Sequence, residues 1–565
     1  MITRLKQRFQ GINPAQLILL VSCLCVLTIN LVLPLISLFS MAFLSRAGEF
    51  VGFQNYITYF GNPTLRASIL NTIDISLWAT LISATLGFMY AYALTRTRII
   101  GKTFFKYVAL IPIFIPTVVH AIGLIYLLGR QGIITRLFEL NIEIYGRLGI
   151  ILSEIIFTFP QAFLMFFIAL EFADGRLYEA ADSMGVPPLH KLFKITLPEI
   201  KYTVISVIFV CFTLAFTDFG APKVIGANFN VLATDIYKQV VGQFNMNIGA
   251  VVGTILLIPA VVSFIIDRFV SSKNAGTLGA KATKLEIKKN SSRDTLFFLF
   301  CAAVTFCFFA LIGSLFVGAF TEFYPYNMGF TLNNFDFHES AGGIGSFFNS
   351  LKMAGLTALF GTTFVFVYAY MNEKTNGLST LCRYGKLLSL LPLALPGMVI
   401  GISFIFFFNN PGNPLHFIYG TIIILVIANI LHFFSVPFLT ASACLKKLDK
   451  EYESVGDSMS IPRWKTFIRV SVPLSLPAIL EIFMYFFVNA MVTVSAVVFL
   501  TSSSFRIAAI AITHMEEAGR VSQAAAMSLL ILAINVIVRI LYEAAIKFIR
   551  YKTQKKEIVI YAKEN

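Results

Sequence analysis

Residues 178–198 read YEAADSMGVPPLHKLFKITLP and residues 453–473 read ESVGDSMSIPRWKTFIRVSVP, so one polar segment occurs twice in the chain. The two copies share the tripeptide Asp-Ser-Met and two prolines at the same spacing when they are shifted by 275 positions. Repetition at a fixed offset is typical of a duplicated structural unit. Because the rest of the chain is strongly apolar, we predict that this polar segment contacts the same kind of partner twice.

The amino-acid composition is that of a membrane protein. Of the 565 residues, 57% are hydrophobic and 13% are charged, and the mean hydropathy is +0.80, which is far outside the range of soluble domains. Apolar runs long enough to cross a hydrocarbon core of about 30 Å as helices lie at 17–43, 68–94, 107–128, 148–170, 202–217, 248–266, 295–317, 350–371, 387–408, 419–441, 478–500 and 521–541. We therefore predict an all-α polytopic membrane protein with about 12 transmembrane helices.

The distribution of charge predicts the orientation of these helices. Most of the 44 Lys and Arg residues fall on the inner side when the N-terminus is placed in the cytoplasm, as the positive-inside rule requires. We therefore expect a multi-pass protein of the inner (cytoplasmic) membrane with both termini cytoplasmic. The net charge of +15 is explained by this topology, so we predict the lipid bilayer and no nucleic acid as a partner. The seven cysteines show no metal-ligand spacing, and we predict neither a metal site nor a cofactor.

The repeat extends over both halves of the chain. At an offset of 278, NTIDISLWATLISATLGFMYAYA (71–93) matches NSLKMAGLTALFGTTFVFVYAYM (349–371), and the proline-rich runs LIPIFIP and LLPLALP match at 280. Because six spans is an even number, the two six-helix repeats are predicted to have parallel topology. Parallel repeats in transporters enclose a pathway between them, which we predict here; the alternative is a duplication without a pathway. The predicted domains are a first half (1–270) with its loop at 171–201, a cytoplasmic linker (271–293), and a second half (294–565) with its loop at 445–477.

The repeated loop has the chemistry of a docking helix. Glu179-Ala180-Ala181 favours a helix, Gly185 can end it, and three apolar residues recur on one face of the next helix at i, i+3 and i+4. These three are Leu189, Leu192 and Phe193. A short amphipathic helix of this kind suits a groove on a partner protein, whereas the alternative is a segment that lies on the membrane surface.

At these residues the chain resembles the inner-membrane permease subunits of ABC importers, whose cytoplasmic loop carries an E-A-A-x-x-x-G signature. The resemblance implies that the loop docks on an ATP-hydrolysing subunit, so the partners expected are two cytoplasmic ATPase subunits, an extracytoplasmic substrate-binding protein and a small-molecule substrate. The coupling residues expected are Glu179, Ala180, Ala181, Asp182, Gly185, Leu189, Leu192 and Phe193, and in the second copy Glu453, Asp457, Ser460, Trp464, Phe467 and Ile468. The second copy departs from the signature at Ser454 and Ser460, so we expect two unequal contacts.

The chain is most similar to fused permeases with the type I importer fold, in which two six-helix halves form one polypeptide. Segments 217–240, 407–420 and 484–500 resemble permeases for 2-aminoethylphosphonate, and fused ferric-iron permeases are the alternative. The alternative from a different mechanistic class is a secondary transporter driven by an ion gradient. Gly101-Lys102-Thr103 resembles the end of a phosphate-binding loop, but Arg96 stands where its first glycine belongs. We predict no catalytic residues and a transport subunit that is not an enzyme.

Polar residues inside predicted spans are candidates for the pathway, because a charge at mid-helix costs roughly 2.5–3.5 kcal/mol. The candidates are Asn71, Asp74, Glu154, Asn349, Lys352, His432 and Asn489. Asp74 and Lys352 occupy equivalent positions in the two halves, and we hypothesise that they form an ion pair or face a common aqueous vestibule. The alternative is that each is an independent charge at a helix end whose side chain extends to water. Each of the other residues has the alternative of packing through a hydrogen bond to a neighbouring helix.

Overall fold

The fold is that of a helical membrane protein, seen in a computed structural model that describes residues 14–274, 285–287, 289–337, 342–375, 378–449, 451–502 and 504–564. Within these residues, eight helices are long and apolar enough to cross a membrane, and four further helix pairs pass the same test as bent spans. The predicted all-α membrane fold with up to 12 spans is confirmed.

The secondary structure before and after the linker is as follows. The helices of the first part are Pro14–Leu27, Leu33–Ala42, Gln54–Gly61, Pro63–Arg96, Lys102–Val108, Thr117–Leu128, Ile133–Leu137, Arg147–Glu171, Gly175–Ser183, Pro188–Lys191, Leu197–Glu199, Lys201–Thr217, Gly220–Ile225, Leu232–Tyr237 and Met246–Asn274. The helices of the second part are Ser291–Phe320, Gly345–Lys374, Ser379–Leu390, Gly397–Phe408, Ile422–His432, Ser435–Lys447, Glu451–Ser458, Arg463–Thr466, Val472–Leu474, Leu476–Val492, Ala508–Glu517 and Val521–Glu564. π-Helical turns lie at Thr28–Val32, Leu192–Thr196, Lys238–Gly242 and Phe467–Ser471, and 3-10 turns at Ile111–Phe114, Asn333–Phe335, Leu391–Ala394 and His416–Ile418.

One compact unit comprises Phe39–Ile344 and Ala509–Leu529. Its core is aromatic: the ring of Tyr90 meets Phe159 and Phe163 edge-on at 5.5 and 5.3 Å, and its hydroxyl donates to the carbonyl of Phe105 at 3.0 Å. Such edge-to-face contacts add to the gain from burying apolar area. Tyr90 belongs to the repeated Tyr-Ala-Tyr sequence, which therefore marks a packing position.

The helix Ser291–Phe320 follows the linker in sequence but packs in this same unit. A Cβ on Gly318 would lie 2.5 Å from Tyr126 Cζ, and a Cβ on Gly123 would lie 2.8 Å from Leu311 Cγ. Small residues at these points let the helices Ser291–Phe320 and Thr117–Leu128 approach closely, which is how helices associate in membranes.

The other compact unit comprises Met1–Leu38, Gly345–Ala508 and Leu530–Asn565. Tyr368, the counterpart of Tyr90, packs on Phe434 and Phe438 at 5.9 and 5.6 Å. The N-terminal helix lies in this unit, where a Cβ on Gly385 would be 3.2 Å from Leu24 Cδ2. Each unit therefore contains the first long helix of the opposite sequence half.

Three predicted spans are broken, which corrects the expectation of continuous helices at 107–128, 387–408 and 419–441. The last of these bends by 58° between Ile422–His432 and Ser435–Lys447. LIPIFIP and LLPLALP each form a 3-10 turn, and Pro116 and Pro396 cap the helices that follow. In the second half the axis bends by 111° at this point. Proline lacks the N–H that would continue the preceding helix. A two-stranded hairpin, Thr321–Phe323 with Asn327–Phe330, is a further element that the apolar pattern did not predict.

Candidate functional site

The two repeated loops fold into the same helix–turn–helix. The first helix is Gly175–Ser183 in one loop and Glu451–Ser458 in the other, the second is Pro188–Lys191 and Arg463–Thr466, and a π turn follows at Leu192–Thr196 and Phe467–Ser471. Every one of the second-helix and π-turn boundaries is shifted by the offset of 275 that the sequence shows. The sequence repeat is therefore a structural repeat down to an irregular turn.

The tight turn between the two helices is left-handed in both loops, although only one loop has glycine there. Gly185 has φ +68° and Ser460 has φ +55°. A left-handed backbone costs a residue with a side chain about 1 kcal/mol, whereas glycine adopts it freely. The predicted departure at Ser460 thus leaves the geometry of the turn unchanged and adds local strain.

The first loop is closed by polar contacts of its own. The hydroxyl of Tyr178 donates to Thr196 Oγ1 at 2.9 Å, and Glu199 Oε1 accepts from the backbone N–H of Asp174 at 2.7 Å. Asp182, predicted as a docking acid, forms an ion pair with Lys191. These contacts join the start and the end of the loop.

Each loop also contacts the helix that ends beside it, through one pair of side chains that we call the joint. The two joints use different chemistry. The guanidinium of Arg96 lies 4.8 Å above the centre of the Tyr178 ring. In the second loop, Lys374 Nζ lies 3.2 Å from Glu453 Oε2, with both side chains largely buried. Glu453 was predicted to present its charge to a partner, and the structure instead gives it a cation within the chain.

Apolar side chains at equivalent positions project from both loops. Leu189 is 67% exposed and its counterpart Trp464 is 62% exposed. The pairs Met184 and Met459, and Phe193 and Ile468, are also exposed. We name these six side chains the docking knobs. Exposed apolar side chains of this size that cluster on a loop are typical of an interaction site.

The other predicted coupling residues are placed differently. Glu179 and Ala180 are exposed beside the knobs, and Ala181 is buried. Leu192 is half-buried, and the ring of its counterpart Phe467 packs 4.6 Å from that of Tyr370. These two positions, where the π turn starts, therefore lie outside the exposed apolar face that the helical spacing predicted. The side chain of Asp457 lies outside the described residues.

Two predicted pathway residues, Asn71 and Asn349, make the same contact in the two halves. Asn71 Nδ2 donates to the carbonyl of Asn230 at 3.0 Å, and Asn349 Nδ2 donates to the carbonyl of Arg506 at 3.1 Å. A neighbouring hydroxyl supports each contact: Thr72 Oγ1 accepts from Leu232 N at 2.9 Å, and Ser350 Oγ accepts from Ala508 N at 2.8 Å. These asparagine clamps fasten the helices Leu232–Tyr237 and Ala508–Glu517 to the long helices.

Asp74 pairs with a cation that the sequence did not suggest. Arg147 Nε and Nη2 donate to the two carboxylate oxygens of Asp74 at 2.5 and 2.9 Å. Arg147, and not Lys352, is therefore the ion-pair partner of Asp74, and Lys352 is exposed. A common vestibule for Asp74 and Lys352 stays a prediction. Arg147 is the first residue of a span, where a charge is easily dismissed as a flanking residue.

The remaining pathway candidates lie among protein atoms. Glu154 is fully buried beside Asp218, which accepts from Thr117 Oγ1 at 2.9 Å. His432 is half-buried against the ring of Phe433, and Asn489 Nδ2 donates to Tyr485 O at 2.8 Å. Their part in a pathway stays a prediction. No group of three His, Cys, Asp or Glu side chains that could hold a metal occurs among the described residues.

Sequence reasoning missed an ion pair between two distant segments. Lys223 Nζ lies 2.6 Å from Glu517 Oε1, and His514 Nδ1 lies 3.4 Å from Glu517 Oε2. The hydrogen bond from His514 and the charge of Lys223 lower the pKa of Glu517 to about 2, whereas burial and the adjacent Glu517 raise the pKa of Glu516 to about 7. Nothing in a local pattern connects these positions, because they meet only after the chain has folded.

Comparison with known proteins gives one family. The family model described as "Binding-protein-dependent transport system inner membrane component" matches residues 83–276 and 375–551. A putative ferric transport system permease protein of Haemophilus influenzae is 30% identical over 459 residues, which are 78% of this chain and 71% of that protein. A ferric transport system permease protein of Actinobacillus pleuropneumoniae is 28% identical over 544 residues, which are 93% of this chain and 77% of that protein. The crystal structure of a bacterial ABC transporter involved in alginate import is similar with a TM-score of 0.41 and 19% identity, over 48% of this chain and 99% of that chain.

Proposed function

We propose that this chain, which belongs to the family of binding-protein-dependent transport system inner membrane components, forms the whole translocation pathway of an ATP-driven importer from its two halves. It is a multi-pass permease subunit of an ABC importer, and its relatives are transport permeases. The observation that carries the proposal is the identical fold of the two loops, each with three docking knobs at equivalent positions.

The partners follow from these surfaces and from the family. One cytoplasmic ATPase subunit docks on each loop and hydrolyses ATP. An extracytoplasmic binding protein delivers the substrate, a partner that the family description "Binding-protein-dependent transport system inner membrane component" supports. Both termini then lie in the cytoplasm. The two docking contacts differ, because Leu189 faces one ATPase where the larger Trp464 faces the other.

The contacts within each unit give a mechanical route from the loop to the far end of the spans. In the first, a loop held by the Tyr178–Thr196 hydrogen bond meets Arg96 at the end of a long helix. That helix, Pro63–Arg96, has 34 residues and is therefore about 50 Å long. The Asn71 clamp near its other end holds the segment that starts at Leu232. Movement of the loop by the ATPase thus shifts the clamped segment, and alternating access results from rocking of the halves.

The substrate we propose is ferric iron, with the anion 2-aminoethylphosphonate as the second candidate. The relatives at 30% and 28% identity are ferric transport permeases, whereas the phosphonate expectation comes from short segments of sequence. Uptake into proteoliposomes that contain the permease, its ATPase and its binding protein decides between them. We expect ATP-dependent uptake of radioactive Fe³⁺. Uptake of the phosphonate without uptake of iron would contradict ferric iron as the substrate but would still support an ATP-driven importer.

The docking assignment has a direct test. Leu189→Asp and Trp464→Asp each place a charge among the docking knobs, and we expect each to weaken co-purification of the ATPase in detergent. Phe244→Asp is the control, since Phe244 is 76% exposed and lies just before the helix Met246–Asn274, outside both repeated loops. Retention of the ATPase by the combined variant Leu189→Asp/Trp464→Asp would overturn the docking assignment. Proton-coupled uptake by the chain alone would instead favour a secondary transporter.

A further inference from the structure

A basic cavity of about 300 Å³ lies at the loop end of the helix Pro63–Arg96. Its walls come from this helix, from the short helix Lys102–Val108 and from the end of Arg147–Glu171, with two apolar residues of the linker at its edge. The charged residues that line it are Arg96, Lys102, Lys106 and Glu171. Three cations against one carboxylate make a site that attracts anions.

Arg96 has hydrogen-bonding capacity that the described residues do not use, although its charge also acts on the nearby carboxylate of Glu199. It is 7% exposed, and its Nε and Nη2 have no hydrogen-bond partner among the described residues. Burying guanidinium N–H groups without acceptors costs free energy. The ring of Tyr178 covers one face of the group at 4.8 Å, and a π face does not replace two acceptors in the guanidinium plane.

The chemistry of the lining residues selects the anion. A guanidinium binds two oxygens of a phosphate at once, and ammonium groups add charge without fixed geometry. Lys106 Nζ is held 4.3 Å above the ring of Phe167, beside the cavity. Leu94, Phe167, Leu285 and Ile287 give the cavity an apolar side, which suits the glycerol and first methylenes of a lipid.

We propose that the basic cavity binds a phosphate group, carried by an anionic lipid headgroup or by soluble phosphate. Basic pockets between helices at the cytoplasmic surface are suited to such headgroups. The assignment rests on the proposed function only in placing the loop end of the helices at that surface. Because Arg96 contacts both the cavity and Tyr178, an occupied cavity holds the first coupling loop in place, and the second loop has the Lys374–Glu453 ion pair for the same task.

The test uses the full chain in nanodiscs of phosphatidylcholine with one-fifth phosphatidylglycerol, with bound lipid counted by native mass spectrometry. The double variant Lys102→Gln/Lys106→Gln is expected to lower the retention of phosphatidylglycerol about 25-fold, since each of the two cations near a headgroup contributes about a factor of five. Arg98→Gln is the matched control, because Arg98 is exposed at the same end of the helix and does not line the cavity. Lys106→Arg keeps the charge and is expected to keep the lipid.

Inorganic phosphate separates the two sources. Displacement of the lipid by millimolar phosphate supports a soluble anion, and lipid that resists phosphate supports a headgroup. Equal retention in the wild type and the double variant, or an equal loss in Arg98→Gln, would overturn the proposal. Co-purification of the ATPase and substrate uptake are measured on the same preparations. A permease that transports substrate but binds neither phosphatidylglycerol nor phosphate would contradict the proposed anion site and leave the proposed function standing.

Discussion

Lys374 and Glu453 form, in the second half, the joint that Arg96 and Tyr178 form in the first. Lys374 and Arg96 are each the last residue of a long helix, and Glu453 and Tyr178 occupy the same position of the repeated loop. One joint is an ion pair and the other a cation–π contact. The position is therefore retained across the repeat while its chemistry differs, which indicates that a firm connection between helix and loop is what matters there.

The joint can be exchanged between the halves. Glu453→Gln leaves the largely buried ammonium of Lys374 without its carboxylate, and we expect a loss of about 1–3 kcal/mol in the free energy of unfolding. The combination Lys374→Arg with Glu453→Tyr transplants the first joint and is expected to recover most of it. Glu451→Gln, exposed on the same helix, serves as the control. Thermal unfolding and ATP-driven uptake measure the effects; no recovery by the transplant would contradict the equivalence.

The left-handed turn predicts opposite effects of reciprocal substitutions. Ser460→Gly relieves a strained backbone at φ +55° and should stabilise the second loop, by up to about 1 kcal/mol. Gly185→Ser introduces the same strain in the first loop and should destabilise it. Protection of the loops from limited proteolysis reports both changes. A less protected Ser460→Gly loop would mean that chain entropy outweighs the strain.

Glu516 and Glu517 give stability a dependence on pH with two separate ranges. The pKa of Glu517 is lowered from 4.5 to about 2, so its pairing stabilises the fold above pH 4.5 and is lost as the pH falls toward 2. The pKa of Glu516 is raised from 4.5 to about 7, so its contribution to stability falls as the pH rises from 4.5 through 7. We expect Glu516→Gln to reduce the pH dependence of the unfolding temperature between pH 5 and 7. We expect Glu517→Gln to reduce this dependence only below pH 4.5. An unchanged wild-type slope in Glu516→Gln would contradict the assignment.

The sequence predicted what depends on period and duplication, and it failed where the chain meets itself at long range. Hydrophobic run length was enough to locate the apolar segments, and the 275-residue offset was enough for the repeated loops, whereas the breaks inside several spans were not predicted. The helical spacing placed Leu192 and Phe467 on the docking face, but Leu192 is half-buried and Phe467 packs on Tyr370, which lies far away in sequence. Arg147 and Lys223 were missed since their partners, Asp74 and Glu517, lie far away in sequence.

The asparagine clamps predict a loss of coupling without a loss of assembly. Asn71→Leu removes the donor to the carbonyl of Asn230, which costs about 1 kcal/mol, and leaves the loop that docks the ATPase untouched. We expect the Asn71→Leu/Asn349→Leu double variant to retain the ATPase and to hydrolyse ATP, while ATP-driven uptake falls severalfold. Thr72→Ser keeps the neighbouring hydroxyl and is the control. Normal uptake in the double variant would show that the hydrogen bonds of Asn71 and Asn349 are not required for the segments starting at Leu232 and Ala508 to move with the long helices.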